Sequence, residues 1–130
     1  MNPTVLLIED NPQNRYLATY LLERRGYRVV TAENGPLGIE LAASLAPDMI
    51  LLDIQLPAMD GYSVAQALRR LAPLRTTPIV AVTSYAMAGD REKALASGCD
   101  GYIEKPIDPI SFVDQIAAHA RAHAANGDPA

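Results

Sequence analysis

Three four-residue runs, Val5-Leu-Leu-Ile8, Met49-Ile-Leu-Leu52 and Ile79-Val-Ala-Val82, contain no polar residue. Runs this short and unbroken read as strands buried on both faces, the kind found inside a parallel sheet. Each run ends in polar residues: Glu9-Asp10 after the first, Asp53 after the second, Thr83-Ser84 after the third. In an open α/β sheet, ligands bind in the crevice beyond the carboxyl ends of the strands. The bland alternative for an Asp in such a place is a helix or turn cap. Against it, the residues after Asp53 do not begin a helix, because Pro57 and Gly61 break the stretch.

Between the runs the pattern turns helical. Asn11-Pro12 reads as a helix start, with Leu17, Ala18, Leu21 and Leu22 at helical spacing and Gly26 past the end. Arg28 to Ala32 is short and polar-flanked, as an edge strand would be. Asn34-Gly35-Pro36 opens a second helix that Pro47 stops. Val64, Ala65, Leu68 and Leu71 mark a third helix, with Arg69 and Arg70 expected on its solvated side. A fourth is expected from Ala86 to Ser97, its thin apolar side made of Met87, Ala94 and Leu95. A polar-tinged edge strand from Asp100 to Lys105 follows, then a last helix capped at Asp108-Pro109. Five strand–helix units predict a parallel sheet with helices on both faces. Placing the apolar strands inside gives the flavodoxin-like strand order 2-1-3-4-5.

The chain has 130 residues, which suits one domain with a core of its own. Its net charge of −4 offers no basic footprint for nucleic acid. No apolar run approaches the ~18 residues of a membrane span, and the first residues do not read as a signal peptide. The single cysteine, Cys99, has no partner for an internal disulfide and reads as a small core residue. Together these favour the cytoplasm. His119 and His123 are four apart, a spacing that can bind metal, but a solvated helix face is the expectation because a zinc site needs three or four ligands. Arg24 and Arg25 are expected to be solvated as well.

In the predicted layout all strands point the same way, so Glu9, Asp10, Asp53, Thr83 and Lys105 converge on one rim. Two carboxylates about 4 Å apart repel by about 4 kcal/mol at an effective dielectric near 20. Three in one crevice call for a counter-charge, which Lys105 and a hard divalent cation such as magnesium would supply. An ionised carboxylate can act as a nucleophile and carry a phosphoryl group, and the transfer then needs positioning and charge neutralisation.

Glu9-Asp10, Asp53 followed by Pro57 and Asp60-Gly61, Thr83-Ser84, Tyr102 and Lys105-Pro106 occur in an order and spacing that resemble a response-regulator receiver domain of the CheY-like kind. The similarity covers about residues 4–122. It implies a receiver domain over 1–124 and a frayed tail over 125–130. The stretch Val80 to Asp90 further resembles DivK-like stand-alone receivers and those fused to hybrid histidine kinases.

The resemblance implies a two-component phosphorelay role. Asp53 would take a phosphoryl group from a histidine kinase or histidine phosphotransfer protein. Asp10, Asp53 and the backbone carbonyl of Gln55 would bind Mg2+ directly, with Glu9 acting through water. Lys105 and Thr83 would hold phosphoryl oxygens, and Gln55 and Tyr85 would tune self-dephosphorylation. Thr83 and Tyr102 would form a switch controlling a protein target at the face of the fourth helix, fifth strand and fifth helix, and Pro106 would follow a cis peptide. Such a protein would catalyse only its own phosphorylation and dephosphorylation. Haloacid-dehalogenase-type phosphatases share the strand-end Asp but usually carry a second Asp where this chain has Gln55. A flavin carrier of this fold would need a phosphate loop rich in Ser, Thr and Gly, where this chain has Glu9-Asp10-Asn11.

Overall fold

A computed structural model of the chain describes residues 2–57, 59–83, 89–105 and 107–127. Five strands, β1 (Thr4–Ile8), β2 (Arg28–Ala32), β3 (Met49–Asp53), β4 (Ile79–Thr83) and β5 (Gly101–Glu104), form one sheet in the order β2-β1-β3-β4-β5. Every neighbouring pair is parallel. Between them run α1 (Pro12–Arg24), α2 (Gly35–Leu45), α3 (Gly61–Arg70) and α4 (Asp90–Ala96), and α5 (Phe112–Gly127) closes the chain. The expected strand order and edge strands are observed. Helix α5 runs into the stretch read from the sequence as a tail.

The apolar runs are unbroken because both faces of the sheet are covered. Leu6, Ile8, Ile50, Leu52, Ile79 and Ala81 pack with Ala42 of α2, with Val64, Ala65 and Leu68 of α3, and with Ala94 of α4. Their alternates Val5, Leu7, Met49, Leu51 and Val80 pack with Ala18 and Leu22 of α1 and with Phe112, Val113 and Ile116 of α5. Successive strand residues point to opposite faces, so each run feeds two cores at once. Each fully buried Leu or Ile contributes roughly 1.5–3 kcal/mol of transfer free energy.

Four local expectations need correction. Helix α4 as described spans Asp90–Ala96 and Gly89 is not part of it, while the expected start at Ala86 lies outside the described residues. Gly89 precedes it at φ +90°, in the left-handed region where glycine carries no Cβ penalty. Of the α4 residues only Ala94 is buried, and Leu95 is 41 % exposed.

The last helix begins at Phe112. Asp108 instead closes the turn ahead of it, accepting hydrogen bonds from the Ile110 N–H (3.1 Å) and the Ser111 hydroxyl (2.6 Å). His119 is half-buried rather than solvated, its ring filling the space that Gly101 leaves on β5. Arg69, expected in solvent, is the largest departure. Its guanidinium donates to the carbonyls of Gly98 (2.8 Å), Leu74 (2.8 Å) and Thr77 (2.6 Å) and pairs with Asp100. Asp100 also accepts from the Ile79 N–H at 2.9 Å. A helix pattern alone places Arg69 outward; a guanidinium fork reaches back to carbonyls freed by the turn that follows. Arg24, Arg25 and Arg70 are exposed and Cys99 is buried, as expected.

Candidate functional site

Register determines which strand ends meet. Ile8 pairs with Leu52 and Asp53 with Val82, so Glu9 comes level with Asp53 across the β1–β3 seam. The alternation that sends Ile8 and Leu52 to one face sends Glu9 and Asp53 together to the other. Thr83 pairs with Glu104, and the Lys105 N–H continues the ladder to the Thr83 carbonyl at 2.7 Å. The polar residues after the apolar runs therefore share one rim.

Glu9, Asp10, Asn11, Asn14, Asp53, Gln55 and Lys105 line a cleft of about 160 Å³ there. One carboxylate oxygen from each of Glu9, Asp10 and Asp53 lies within 4.8 Å of the others. Asp10 is exposed, while Glu9 and Asp53 are each 3 % exposed. Lys105 Nζ stands 2.7 Å from Glu9 Oε1 and 3.6 Å from Asp53 Oδ1. The Gln55 N–H donates to Asp53 Oδ1 at 3.0 Å. The Gln55 side-chain Nε2 donates to the Thr83 hydroxyl oxygen.

The loop between Asp53 and α3 is held by glycine. Gly61 donates its N–H to the Ile54 carbonyl at 3.0 Å, and a Cβ there would sit 2.5 Å from the Ile54 Cα. Asp60 caps the helix by accepting from the Ser63 N–H at 3.0 Å. Across the cleft, Asn11 caps α1 and donates its own N–H to Glu9 Oε2 at 3.1 Å. Arg15, which the sequence did not single out, donates to the carbonyls of Glu9 (2.9 Å) and Asp10 (3.3 Å) and so fixes the acidic pair. Its position four residues past the N-cap was the available signal, since that places it one turn along the same helix face.

Burial pushes the Asp53 carboxyl up to about 8. A hydrogen bond and charge repulsion from Glu9 add to the rise, and Lys105 and the Gln55 N–H oppose it. Three carboxylates and one ammonium leave negative charge uncompensated. The donor set, hard oxygen throughout, matches a hard divalent cation of the magnesium kind.

Tyr102 is half-buried on β5. Its hydroxyl oxygen is buried and has no hydrogen-bond partner among the described residues. The phenol pKa is raised by burial, then by Asp90, Glu104 and Glu92. The cis peptide expected at Pro106 and the role expected of Tyr85 fall outside the described residues.

This sheet, with an acidic cleft around a buried aspartate at its carboxyl rim, defines the class of aspartate-centred receiver modules. Residues 5–117 match the response regulator receiver domain family. The chain is 40% identical over 119 residues to the polar-differentiation response regulator DivK of Brucella anthropi, covering 92% of this chain and 97% of that protein. Among solved structures, the receiver domain of a sensor histidine kinase from Pseudomonas aeruginosa, with magnesium coordinated in its active-site cleft, superposes with a TM-score of 0.85. It is 33% identical, and the match covers 93% of this chain and 99% of that one. Chemotaxis protein CheY4 of Vibrio cholerae gives a TM-score of 0.87 at 25% identity, over 91% of this chain and 98% of that one. The chain belongs to the response regulator receiver domain family, the signal-receiving modules of two-component systems.

Proposed function

We propose that Asp53 is the phosphoryl acceptor of this receiver. The observation that carries the reading is its place: a buried carboxylate 3.6 Å from an ammonium, beside two further carboxylates on the open rim. A phosphohistidine on a histidine kinase or phosphotransfer protein is the donor. An Asp53 oxygen attacks phosphorus, the P–N bond breaks, and the imidazole leaves to take up a proton. Asp10, Asp53 and the Gln55 carbonyl would hold magnesium, with Glu9 contributing through water. Bound there, it would supply the positive charge that offsets the carboxylates and the incoming phosphoryl oxygens. Lys105 and Thr83 bind those oxygens. Catalysis is limited to the protein's own phosphorylation and dephosphorylation, in the cytoplasm.

The output runs through Thr83 and Tyr102 to the surface made by α4, β5 and α5, where a downstream protein docks. Phosphorylation adds about −1.5 to −2 charges and three acceptor oxygens. Thr83 turns towards them and Tyr102 takes up the space. The same chemistry serves a module of a hybrid kinase or a relay intermediate, a reading favoured by the likeness to the sensor-kinase receiver.

Acetyl phosphate labelling followed by mass spectrometry tests the acceptor. One phosphoryl group is expected with magnesium, none in EDTA, and none in Asp53→Asn. Full labelling of that variant would move the acceptor elsewhere.

A further inference from the structure

We propose that Tyr62 and Lys93 form a latch that holds α4 against α3 and opposes the movement of α4 when Asp53 is phosphorylated. The inference rests on the reading of Asp53 as phosphoryl acceptor, and it gives α4 a link to the cleft apart from Thr83 and Tyr102. The Lys93 ammonium, in the last turn of α4, lies 4.5 Å from the centroid of the Tyr62 ring on α3. That is inside the ~6 Å reach of a cation–π contact. Tyr62 is half-buried and packs against the core that α2, α3 and α4 share with the sheet, while Lys93 is exposed. The ring is therefore the fixed partner and the ammonium the mobile one.

The fixed partner stands close to the chemistry. Its neighbour Gly61 donates its N–H to the Ile54 carbonyl at 3.0 Å, and a Cβ on Gly61 would lie 2.8 Å from the Asp53 carbonyl oxygen. Asp60 accepts from the Ser63 N–H at 3.0 Å and closes the first turn of the helix. Tyr62 thus springs from backbone seated on the acceptor residue. On the other side, Ala94 is the one side chain that α4 buries. An element so lightly packed can be held or released by a single surface contact. The attraction of a cation for a ring fades once the cation leaves the ring face, so it favours the α4 position seen here over one withdrawn from α3. A phosphoryl group that favours the withdrawn position must offset the lost contact, and its mimic binds more weakly by the same factor.

The test is the affinity for beryllofluoride, a phosphoryl mimic, at saturating magnesium, measured by titration calorimetry on the intact chain. Lys93→Met keeps most of the side-chain length and removes the cation. It is expected to tighten binding about two- to fivefold, the worth of an exposed cation–π contact. Loss of charge alone acts the other way, since it weakens the pull on an anionic mimic. Lys93→Arg should bind like the unsubstituted protein, because a guanidinium also stacks on an aromatic face. Tyr62→Phe keeps the ring, and in that background Lys93→Met should give the same gain. Tyr62→Leu removes the ring, and there Lys93→Met should change the affinity by less than about 1.5-fold. Hydrogen exchange without the mimic gives a second reading: the α4 amides should exchange about two- to fivefold faster in Lys93→Met, with those of β1 and β3 unchanged.

No gain, or a loss, in Lys93→Met overturns the proposal. So does an equal gain in the Tyr62→Leu background. So does a gain of the same size in Arg91→Met, which removes an α4 cation that has no ring contact among the described residues. Failure of the unsubstituted protein to bind beryllofluoride is a different result: it overturns the reading of Asp53, and the part of the latch in switching with it.

Discussion

A carboxyl group held near 8 cannot be a good nucleophile at neutral pH unless something pulls its proton away. In the cleft, burial and Glu9 favour the protonated form of Asp53 against Lys105 and the Gln55 N–H, and a divalent cation would add to that opposition. The sign of the linkage follows. The folded state binds this proton more tightly than the unfolded chain does, so its contribution to stability is complete below pH 4. That contribution is lost as pH rises towards 8. Metal-free protein should therefore melt at falling temperature between pH 4 and 8, and Asp53→Asn should flatten the trend. At pH 7.5 in EDTA, Asp10→Asn should itself melt at a higher temperature, because it removes one carboxylate from a cluster that lacks its counter-charge. Scanning calorimetry across pH reads all of this, and a lower melting point for Asp10→Asn would show Asp10 to be a structural residue first. The acids were legible in the sequence because each directly follows an apolar run, where a strand must surface. The bond from Gln55 to Thr83 was not, since only strand register brings those side chains together.

Among the described helices, α4 buries a single side chain, Ala94. The Lys93 ammonium lies 4.5 Å from the Tyr62 ring centroid of α3. Such a contact contributes about 0.5–1 kcal/mol at an exposed site. Weakly packed elements are those that move in switches. The turn that follows α4 is the opposite case: there Arg69 ties α3 to the Gly98 carbonyl and to Asp100. Truncating Arg69 removes the charge partner of Asp100 and the donor to the carbonyls of Gly98, Leu74 and Thr77. Arg69→Met should lose about 2–4 kcal/mol, and Arg69→Lys nearly as much, because an ammonium cannot replace the fork. Arg70→Ala should lose less than about 0.5 kcal/mol. Urea unfolding of the three variants checks this, and a fully stable Arg69→Lys would show that charge alone suffices. Helical periodicity revealed that Arg69 and Arg70 lie beside the apolar stripe. It could not distinguish them, because the difference is made by carbonyls of a turn with no pattern of its own.

At the scale of the molecule, strand order and the two-layer covering were readable from which runs were wholly apolar. The state of the Tyr102 side chain was not. Tyr102 carries a buried hydroxyl with no partner among the described residues, and Asp90, Glu104 and Glu92 add to the rise that burial gives its pKa. Holding it there has a cost, and contact of Thr83 with a phosphoryl group is the proposed source of compensation. A shift from 1:99 to 99:1 needs about 5.5 kcal/mol of differential stabilisation. A few hydrogen bonds give less, so both ring positions should be populated without phosphate. Ring resonances of Tyr102 should move on saturation with beryllofluoride in the unsubstituted protein. In Thr83→Ala they should move less than about half as far, even at saturation. An equal movement would mean that the ring answers to the phosphoryl group by another route.

The Lys105–Glu9 ion pair joins residues 96 positions apart. During synthesis Glu9, Asp10 and Asp53 leave the ribosome well before the lysine that offsets their charge. Parallel pairing across such separations is slow, because chain-closure entropy is met before the contacts that reward it. A chain that stops short of Lys105 lacks the ammonium of the cleft. Assembly of the cleft thus waits on the last strand, and a chain still in synthesis carries its acids ahead of their counter-charge.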